Sequence, residues 1–379
     1  MQHIRFDLFG GELAVKMSDK FFVAIKKALC LQNKTRVQLC NQVAKELTYS
    51  SFYINNSLKP SVKHFIPWSI IRMVAKYTGI SIHELETYIC LYGVPRCRSP
   101  VINPNLPIIH TPILDMLIAH VLADGCIVRS PGRAPYVSFR QKNQVFMNCF
   151  RKQCEQVFGE VPSLYTGKEK TKTYLPAGPT RLLLYVSKLS EKQFFSKSAP
   201  MPGYIHNQPR VNQFAFLLAF VFDEGHIDSS NIVIRLKNKN LIQGLDRIAK
   251  NLTYTTTTTS YGNGMHQIYI RSASLNQFYE DYKQLTLTYK CTELDYKKEL
   301  LKDNLRRMNK PNNRSKPTKE RILSSLANQP QTVNALAKQL CFTRQGIRYN
   351  IQTLMKQGKI RKIKVNPGKP PEYVYALWE

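Results

Sequence analysis

Two short apolar stretches constrain the fold of this chain more than any other feature. They are LIAHVLADG (residues 117–125) and LLAFVFDEG (residues 217–225), and each ends in an acidic residue followed by glycine. Thr111 and Pro112 precede the first stretch and a glycine closes each, so the pattern predicts two helices. Both are apolar on nearly every side and too short to cross a bilayer, which indicates buried core helices. Two buried helices in one small domain most easily bury each other.

Pairing of these helices would bring Asp124 and Glu224 together at the two C-terminal ends. A carboxylate is unfavourable there because the helix macrodipole already places partial negative charge at that end. A hard divalent cation bound by carboxylate and backbone oxygens would stabilise such a pair. The alternative is an ordinary solvated acid beside a terminating glycine, and the repetition in matching contexts favours the metal site. Small residues would let the helices approach closely, and the predicted interface positions are Ala119, Ala219, Gly125 and Gly225.

The sequence after each stretch is also repeated, which predicts two copies of one structural unit. VSFRQKN (137–143) aligns with IVIRLKN (232–238), and LLLYVS (182–187) aligns with HQIYIR (266–271). Alternation along such strands puts apolar side chains on one face and basic ones on the other, a surface suited to a phosphate backbone. The alternative is a set of solvated strand charges. The predicted DNA contacts are Arg140, Lys142, Arg235, Lys237 and Arg271.

With these residues in view, the region 107–300 resembles the LAGLIDADG homing endonucleases in their two-repeat, single-chain form. The final acid and glycine of that motif are present twice, whereas Leu122 and Phe222 replace its earlier aspartate. Alanine replaces its glycine at the two interface positions named above. The resemblance implies an α+β fold of two αββαββα-type repeats, at about 111–200 and 209–300. It also implies a core shared with some transcription regulators that do not cut DNA.

The same resemblance implies a chemistry for the site. Mg²⁺, or Mn²⁺, would be held by Asp124 and Glu224, and the ion would serve hydrolysis of a phosphodiester bond on each strand. Gln141 falls near the place where family members carry a polar residue that helps to position the attacking water. Leu236 occupies the matching position of the second repeat, so the two sites are expected to be unequal.

Residues 1–95 are expected to form an all-α domain with helices at 38–47, 51–58, 67–77 and 81–88. The run NQVAKELTYSSFYINNSL resembles the helix-turn-helix of Cro and phage-repressor-type proteins, and the alternative is a plain helical bundle. A linker containing four prolines follows at 94–107. The residues expected on or beside the recognition element are Ser51, Tyr53, Asn55, Asn56 and Lys59.

Residues 317–379 resemble a winged helix-turn-helix, after a basic linker at 304–319. Helices are predicted at 319–326, 332–340 and 343–357, with strands at 358–365 and 372–377. Thr343 would cap the recognition helix, and the residues expected to face the major groove are Arg344, Gln345, Arg348 and Tyr349. Lys359, Arg361, Lys362 and Lys364 would form a basic wing. The alternative is a winged helix that serves protein contacts.

The charge of the chain points to its partner. Lysine and arginine number 55 against 25 acidic residues, giving a formal net charge of +30, which indicates a polyanion and first of all double-stranded DNA. The N-terminus lacks a signal-peptide layout, so a cytoplasmic protein without a membrane partner is expected. The nine cysteines form no CxxC pair, which is typical of reduced thiols. Because one chain carries both repeats, a functional monomer is expected.

These observations predict a site-specific, metal-dependent double-strand DNA endonuclease. The rival interpretation is a non-cleaving transcription regulator built on the same core, and an RNA splicing maturase is a third possibility. The retained acid at both helix ends favours the enzyme. The two flanking DNA-binding modules and the altered motif favour the regulator.

Overall fold

Helices and small antiparallel sheets alternate along the chain, which is an α+β protein. The computed structural model describes residues 3–4, 13–61, 65–95, 99–165, 170–194, 198–228, 230–309, 318–366 and 372–378. The chain divides into two units, Met1–Leu305 and Arg306–Glu379. No helix in the described residues is long and apolar enough to cross a membrane.

The N-terminal part contains a sheet as well as the predicted helices. Its elements are β1 His3–Ile4, β2 Ala14–Met17, α1 Asp19–Leu31, α2 Arg36–Glu46, α3 Ser51–Ser57, β3 Ile66–Pro67, α4 Trp68–Thr78, α5 Ile82–Glu86, β4 Ile89–Gly93, β5 Val101–Ile102 and β6 Ile108–Ile109. The four predicted helices correspond to α2, α3, α4 and α5. The expectation of an all-α domain is wrong, because β3, β2, β4 and β5 form a four-stranded sheet in that order. Strands this short carry too little alternation to be read from sequence.

The stretch expected to be a linker at 94–107 is instead part of the first unit where the structure describes it. Strand β5 pairs with β4, and Ile102 forms an isolated bridge with Glu160 of the core. Gly178 lies so close to the ring of Tyr92 that a Cβ atom there would be 2.8 Å from its Cε2 atom. Prolines therefore mark bends at this place rather than a flexible connection.

Each repeat of the core begins with one of the two apolar helices. The first repeat contains α6 Pro112–Ala123, β7 Gly125–Val128, β8 Tyr136–Arg140, α7 Gln144–Phe158, β9 Lys172–Leu175 and α8 Ala177–Ser187. The second contains α9 Arg210–Asp223, β10 Gly225–Ile227, β11 Ile232–Leu236, α10 Lys239–Asn251, β12 Thr256–Ser260, β13 His266–Ile270 and α11 Leu275–Thr288, followed by α12 Tyr296–Asn309. The sheets have the orders β7-β8-β9 and β10-β11-β13-β12.

The two sheets share one register, which confirms the internal repeat. Gly125 pairs with Phe139 in the first sheet, and Gly225 pairs with Ile234 in the second. Asn143 and Asn238, which end the repeated strand motif, both cap the following helix through their side-chain oxygens. The shared sequence therefore encodes one strand, one cap and one helix start in each repeat.

One strand of the predicted repeat is wrong. The run LLLYVS (182–187), predicted as a strand, lies in helix α8, and β9 takes the place in the first sheet that β13 takes in the second. A short apolar run is compatible with either structure, and here the preceding Pro176 and Pro179 fit a helix start. The described residues of the first repeat therefore follow the expected αββαββα order with one strand fewer, and the second repeat follows it in full.

Helices α6 and α9 pack directly against each other at the centre of the core. Every residue of α6 is buried, and Ala119 and Ala219 are both 0% exposed. At the N-terminal end of α6, the fully buried Asp115 accepts hydrogen bonds from the Tyr204 hydroxyl (2.6 Å) and the Asn212 amide (2.6 Å). Because Asn212 belongs to α9, this bond fixes the two helices relative to each other.

Within residues 318–366 and 372–378, the C-terminal unit contains three helices and a three-stranded sheet. Its elements are α13 Thr318–Asn328, β14 Gln331–Thr332, α14 Val333–Leu340, α15 Arg344–Lys356, β15 Ile360–Asn366 and β16 Glu372–Leu377, with the strand order β14-β16-β15. The three predicted helices and two predicted strands are confirmed. The linker predicted at 304–319 is wrong up to Asn309, which still belongs to α12, and residues 310–317 lie outside the described residues.

The two repeated glycines are required by their own helices. A Cβ atom on Gly125 would lie 2.7 Å from the Cα atom of Val121, and one on Gly225 would lie 2.6 Å from the Cα atom of Val221. Both contacts are with backbone one turn earlier in the same helix, so these glycines allow the chain to turn sharply from helix into strand. Their expected place in the helix–helix interface stays a prediction.

We expect Gly225→Ala to lower the free energy of unfolding by about 1–3 kcal/mol, because the backbone around Val221 must shift. Gly203→Ala is the matched control, since a Cβ atom there meets nothing within 4 Å, and its effect should stay below about 0.5 kcal/mol. Chemical denaturation of the two variants and the wild type measures both values. Equal losses in the two variants would contradict this account of the turn.

Candidate active site and nucleic-acid interface

The two predicted acids occupy equivalent positions at the ends of the paired helices. Asp124 ends α6 and Glu224 ends α9, with nearly the same backbone angles (φ −113°, ψ 4° and φ −113°, ψ −2°). The backbone N–H of each donates to the carbonyl four residues earlier, at 3.0 and 2.9 Å. The helix pairing therefore places two carboxylates at two negative helix ends, close enough for Glu224 to influence the ionisation of Asp124.

A third carboxylate, Asp223, lies beside them and was missed in the sequence. Its side chain is 0% exposed, and its Oδ2 atom is 2.7 Å from Nδ1 of His120. His120 belongs to α6 and Asp223 to α9, so the contact links the two helices. The sequence signal was the DEG triplet, in which an acid stands where the first repeat has Ala123.

Gln141 connects the acids of the two repeats. Its Nε2 atom donates to Oδ2 of Asp124 (3.2 Å) and to Oδ1 of Asp223 (3.4 Å), while its Oε1 atom accepts from the backbone N–H of Asn143 (3.0 Å). These bonds fix the orientation of the amide, with the NH₂ group toward the acids. Leu236 stands at the matching position of β11 and is buried and apolar. The two halves of the site therefore differ chemically.

Lys297, at the start of α12, brings a buried cation to the same place. It is 4% exposed, and its Nζ atom donates to the carbonyl oxygens of Val221 (2.8 Å) and Phe222 (2.6 Å). The ammonium also lies 5.2 Å from the ring centroid of Phe146. Nothing in the lysine-rich sequence around position 297 distinguishes it from its neighbours, so sequence reasoning missed it.

Burial and like charges shift the ionisation of this cluster. Burial raises the pKa of Asp124 to about 8, with further increases from Asp223 and Glu224 and a decrease from Lys297. Burial, together with Asp223, raises the pKa of Glu224 to about 7. Burial lowers the pKa of Lys297 to about 8. The negative charge of the cluster is thus only partly compensated, and additional positive charge would stabilise it.

The donor chemistry of the cluster fits a hard divalent cation. Carboxylate oxygens are ligands that Mg²⁺ and Mn²⁺ favour, and the raised pKa values of Asp124 and Glu224 reflect first their burial and then the like charges beside them. In the described part of the chain, no three side chains of His, Cys, Asp or Glu form a ready metal-binding group. Other oxygen ligands, such as water or phosphate, would have to complete the coordination, as is common for Mg²⁺.

An open cleft of about 480 Å³ exposes the first acid to solvent. It is lined by Asp124, Arg140, Gln141, Lys142 and Thr171. The side chains of Arg140 and Lys142 are exposed. The cleft therefore combines a carboxylate, an oriented amide and two cations, which is a suitable lining for a phosphate group.

The other predicted core contacts lie at the end of strand β11 and beyond β13. Arg235 and Lys237 are exposed. Arg271 is partly buried, with its guanidinium 5.0 Å from the ring centroid of Tyr269 and 3.5 Å from the side-chain oxygen of Asn231. The neighbouring strands add residues that sequence reasoning missed because the pairing partner of each strand was unknown. On the outward faces these are Tyr136, Lys172, Tyr174, Gln267 and Tyr269.

In the C-terminal unit, the predicted contact residues share one exposed face of α15. The hydroxyl of Thr343 caps this helix by accepting from the N–H of Gly346 (3.0 Å). Ile347, Ile351 and Leu354 face the core of the unit. The exposed residues are Arg344, Gln345, Arg348 and Tyr349. Lys362 is exposed on β15, with its Nζ atom 3.2 Å from the ring centroid of Tyr373.

Solved structures with a similar backbone include two homing endonucleases and DUF199/WhiA. Mesophilic variants of the homing endonuclease I-DmoI are 18% identical, over 45% of this chain and 94% of theirs, with a TM-score of 0.34. The homing endonuclease I-WcaI bound to its DNA recognition sequence is 15% identical, over 46% of this chain and 82% of its own, with a TM-score of 0.34. DUF199/WhiA from Thermatoga maritima is 14% identical, over 66% of this chain and 93% of its own, with a TM-score of 0.30.

Neither a protein-family model nor a curated protein matches the sequence. All three TM-scores are below 0.5, so the function has to be inferred from the residues of this chain.

We expect the stability of the metal-free protein to fall as the pH rises from about 4 to about 8. The Asp124 carboxyl group titrates near 3.8 in the unfolded chain and near 8 in the folded one. The folded state therefore holds more protons in this window, and folding is favoured by acid. Asp124→Asn should lose less stability than the wild type between about pH 5 and pH 7.5, by at least about 1 kcal/mol.

Chemical denaturation in EDTA at several pH values measures this difference. Glu280→Gln is the matched control, because Glu280 is an exposed carboxylate paired with Lys283 on the surface. The free energy of unfolding of this control should change with pH as that of the wild type does. If the free energy of unfolding of Asp124→Asn also changes with pH as that of the wild type does, folding does not raise the pKa of Asp124.

Proposed function

We propose that the chain is a site-specific DNA endonuclease that hydrolyses phosphodiester bonds of duplex DNA with the help of a divalent metal ion. One observation carries the proposal: Asp124, one of the acids at the ends of α6 and α9, lines the same cleft as Arg140 and Lys142. Carboxylates beside exposed cations suit a metal ion and a phosphodiester at the same place.

In this proposal, Asp124 and Glu224 hold Mg²⁺ or Mn²⁺. When bound, the ion supplies charge stabilisation at the phosphate and a more acidic water. Arg140 and Lys142 bind phosphate oxygens next to the scissile bond. Gln141 keeps the Asp124 carboxylate oriented through its 3.2 Å hydrogen bond and offers a polar group near the attacking water.

The outward faces of the two core sheets would bind the DNA backbone. Exposed cations stand at corresponding positions of the two repeats, and the net charge of +30 supports a polyanionic partner. Tyrosines next to these cations would add contacts with sugars or bases. The residues assigned to this surface are Arg140, Lys142, Arg235, Lys237 and Arg271. One chain supplies both halves, which supports action as a monomer.

The two flanking regions would read additional sequence. The N-terminal α2 and α3 would act as a helix-turn-helix, and the C-terminal unit would act as a winged helix-turn-helix with α15 as its recognition helix. The exposed polar face of α15 supports this role, because its opposite face is committed to the core. The flanking regions would then set the target, and the core would act on it.

A second candidate function is a transcription regulator that binds DNA without cutting it. Lys297 favours this candidate, because it already places a buried cation at the end of α9, next to the acids. Asp223 is likewise held by His120 and Gln141 rather than free to bind a ligand. A core stabilised in this way could position two DNA-binding modules with no need for a metal.

We expect Asp124→Asn to abolish cleavage while leaving DNA binding intact. Loss of a ligand charge should reduce the cleavage rate by at least about 100-fold, and binding in Ca²⁺ should persist because the basic surface is unchanged. The assay incubates the full chain with Mg²⁺ or Mn²⁺ and a plasmid library of genomic fragments, with Glu280→Gln as control. A wild type that binds one site tightly but cuts it with neither ion would leave the regulator as the better interpretation.

We expect two substitutions in the C-terminal unit to have different effects. Arg348→Ala should weaken binding of the target by about 1–3 kcal/mol and relax specificity, provided that Arg348 contacts base edges. Lys362→Ala should weaken all duplexes alike and reduce the salt slope of log affinity by about 0.9. Binding titrations at several salt concentrations, on target and unrelated duplexes, measure both effects. Identical outcomes would mean that this unit contributes charge alone.

A further inference from the structure

The connection between α11 and α12 crosses from the second repeat to the first. The amide of Gln153, in α7, donates to the carbonyl oxygen of Cys291 (2.6 Å). The side-chain amide of Asn143 donates to Oδ2 of Asp295 (3.1 Å), and the ring of Tyr296 stacks on Phe146 at 6.2 Å. The connection is therefore anchored on the first repeat at three places, immediately before Lys297.

Asp295, two residues before the lysine, adopts a backbone angle φ of +48°. A non-glycine residue in this region is uncommon and is maintained by its surroundings. The hydrogen bond from Asn143 holds its side chain in place. The turn at Asp295 thus directs the start of α12 toward the end of α9.

The ammonium group of Lys297 meets two unpaired backbone acceptors there. The carbonyl groups in the last turn of a helix lack partners within the helix, and Lys297 satisfies those of Val221 and Phe222. A cation at this end also complements the macrodipole of α9. Lys297 therefore lies at the negatively polarised C-terminal end of α9, where Glu224 and Asp223 add their own negative charge.

The corresponding place in the first repeat is different. Asp124 receives a hydrogen bond from the neutral amide of Gln141, which adds no net charge. The second repeat has Leu236 at the position of Gln141 and the ammonium of Lys297 at its helix end. The protein therefore supplies a positive charge, that of Lys297, at the helix end of the second repeat.

We propose that Lys297 is a tethered cation that competes with a divalent ion for the site formed by Asp124 and Glu224. This inference rests on the metal binding assumed in the proposed function. Lys297 compensates the cluster in the metal-free protein, and a metal ion binds against the repulsion of the ammonium. In a buried site this repulsion is screened far less than in water.

The test compares Lys297→Met with the neighbouring Lys298→Met. Methionine keeps the length and much of the apolar stem of lysine while removing the charge. Calorimetric titration with Mn²⁺ alone, without DNA, should give a Kd for Lys297→Met at least tenfold lower than for the wild type. Lys298→Met should bind Mn²⁺ as the wild type does. Equal Kd values for all three proteins, or no Mn²⁺ binding to Lys297→Met, would overturn the inference.

Thermal unfolding provides a second readout that does not depend on activity. In EDTA, Lys297→Met should unfold at a lower temperature than Lys298→Met, and Mn²⁺ should raise its Tm by more than it raises that of the wild type. If Lys297→Met does not fold in EDTA, the double variant with Glu224→Gln should fold, because one anion is removed with the cation. Failure of the double variant to recover would assign Lys297 to packing and helix capping alone.

These measurements separate the inference from the proposed function. A wild type that never cuts DNA, together with tighter Mn²⁺ binding by Lys297→Met, refutes the endonuclease and supports the tethered cation. Metal-dependent cutting together with unchanged Mn²⁺ affinity supports the endonuclease and refutes the tethered cation.

Discussion

The pairing of α6 with α9 is the contact on which the rest of the core depends. Both helices are buried along their length, so neither is stable without the other. Their pairing brings two negatively polarised ends and three carboxylates into one region. Such an arrangement is costly unless each charge has a partner. His120 and Gln141 contact the acids directly, and Lys297 places its ammonium group on the carbonyl groups at the end of α9, next to the acids.

The two repeats share a framework but differ in their polar chemistry. The strand register, the capping asparagines and the turn glycines are common to both. Gln141 and Leu236 occupy matching positions, as do Ala123 and Asp223. The framework is constrained by packing, which acts on both halves alike, whereas the polar positions are free to diverge. A site built on this framework therefore has two unequal halves.

The charge distribution of the chain supports the proposed nucleic-acid partner of the core. Basic side chains on the outward sheet positions are exposed or lie over tyrosine rings, as Arg271 does over Tyr269. The C-terminal unit repeats this combination, with Lys362 over Tyr373. A tyrosine beneath a cation limits its conformations and leaves its charge available to phosphate. A cation over a tyrosine ring is thus found both in the core and in the C-terminal unit.

Local sequence determined the features that depend on neighbouring residues. The apolar runs specified α6 and α9, the repeated motif specified β8 and β11 with their capping asparagines, and Thr343 specified the start of α15. The run at 182–187 was misassigned because its five apolar residues fit a strand or a helix equally well. The sheet formed by β2, β3, β4 and β5 was missed because its strands are too short to show an alternating pattern. Only the tertiary structure decided the environment of Asp223 and Lys297. Lys297 bonds to carbonyl groups 75 and 76 positions earlier in the chain, and no periodicity or spacing within α12 records a contact made at that distance.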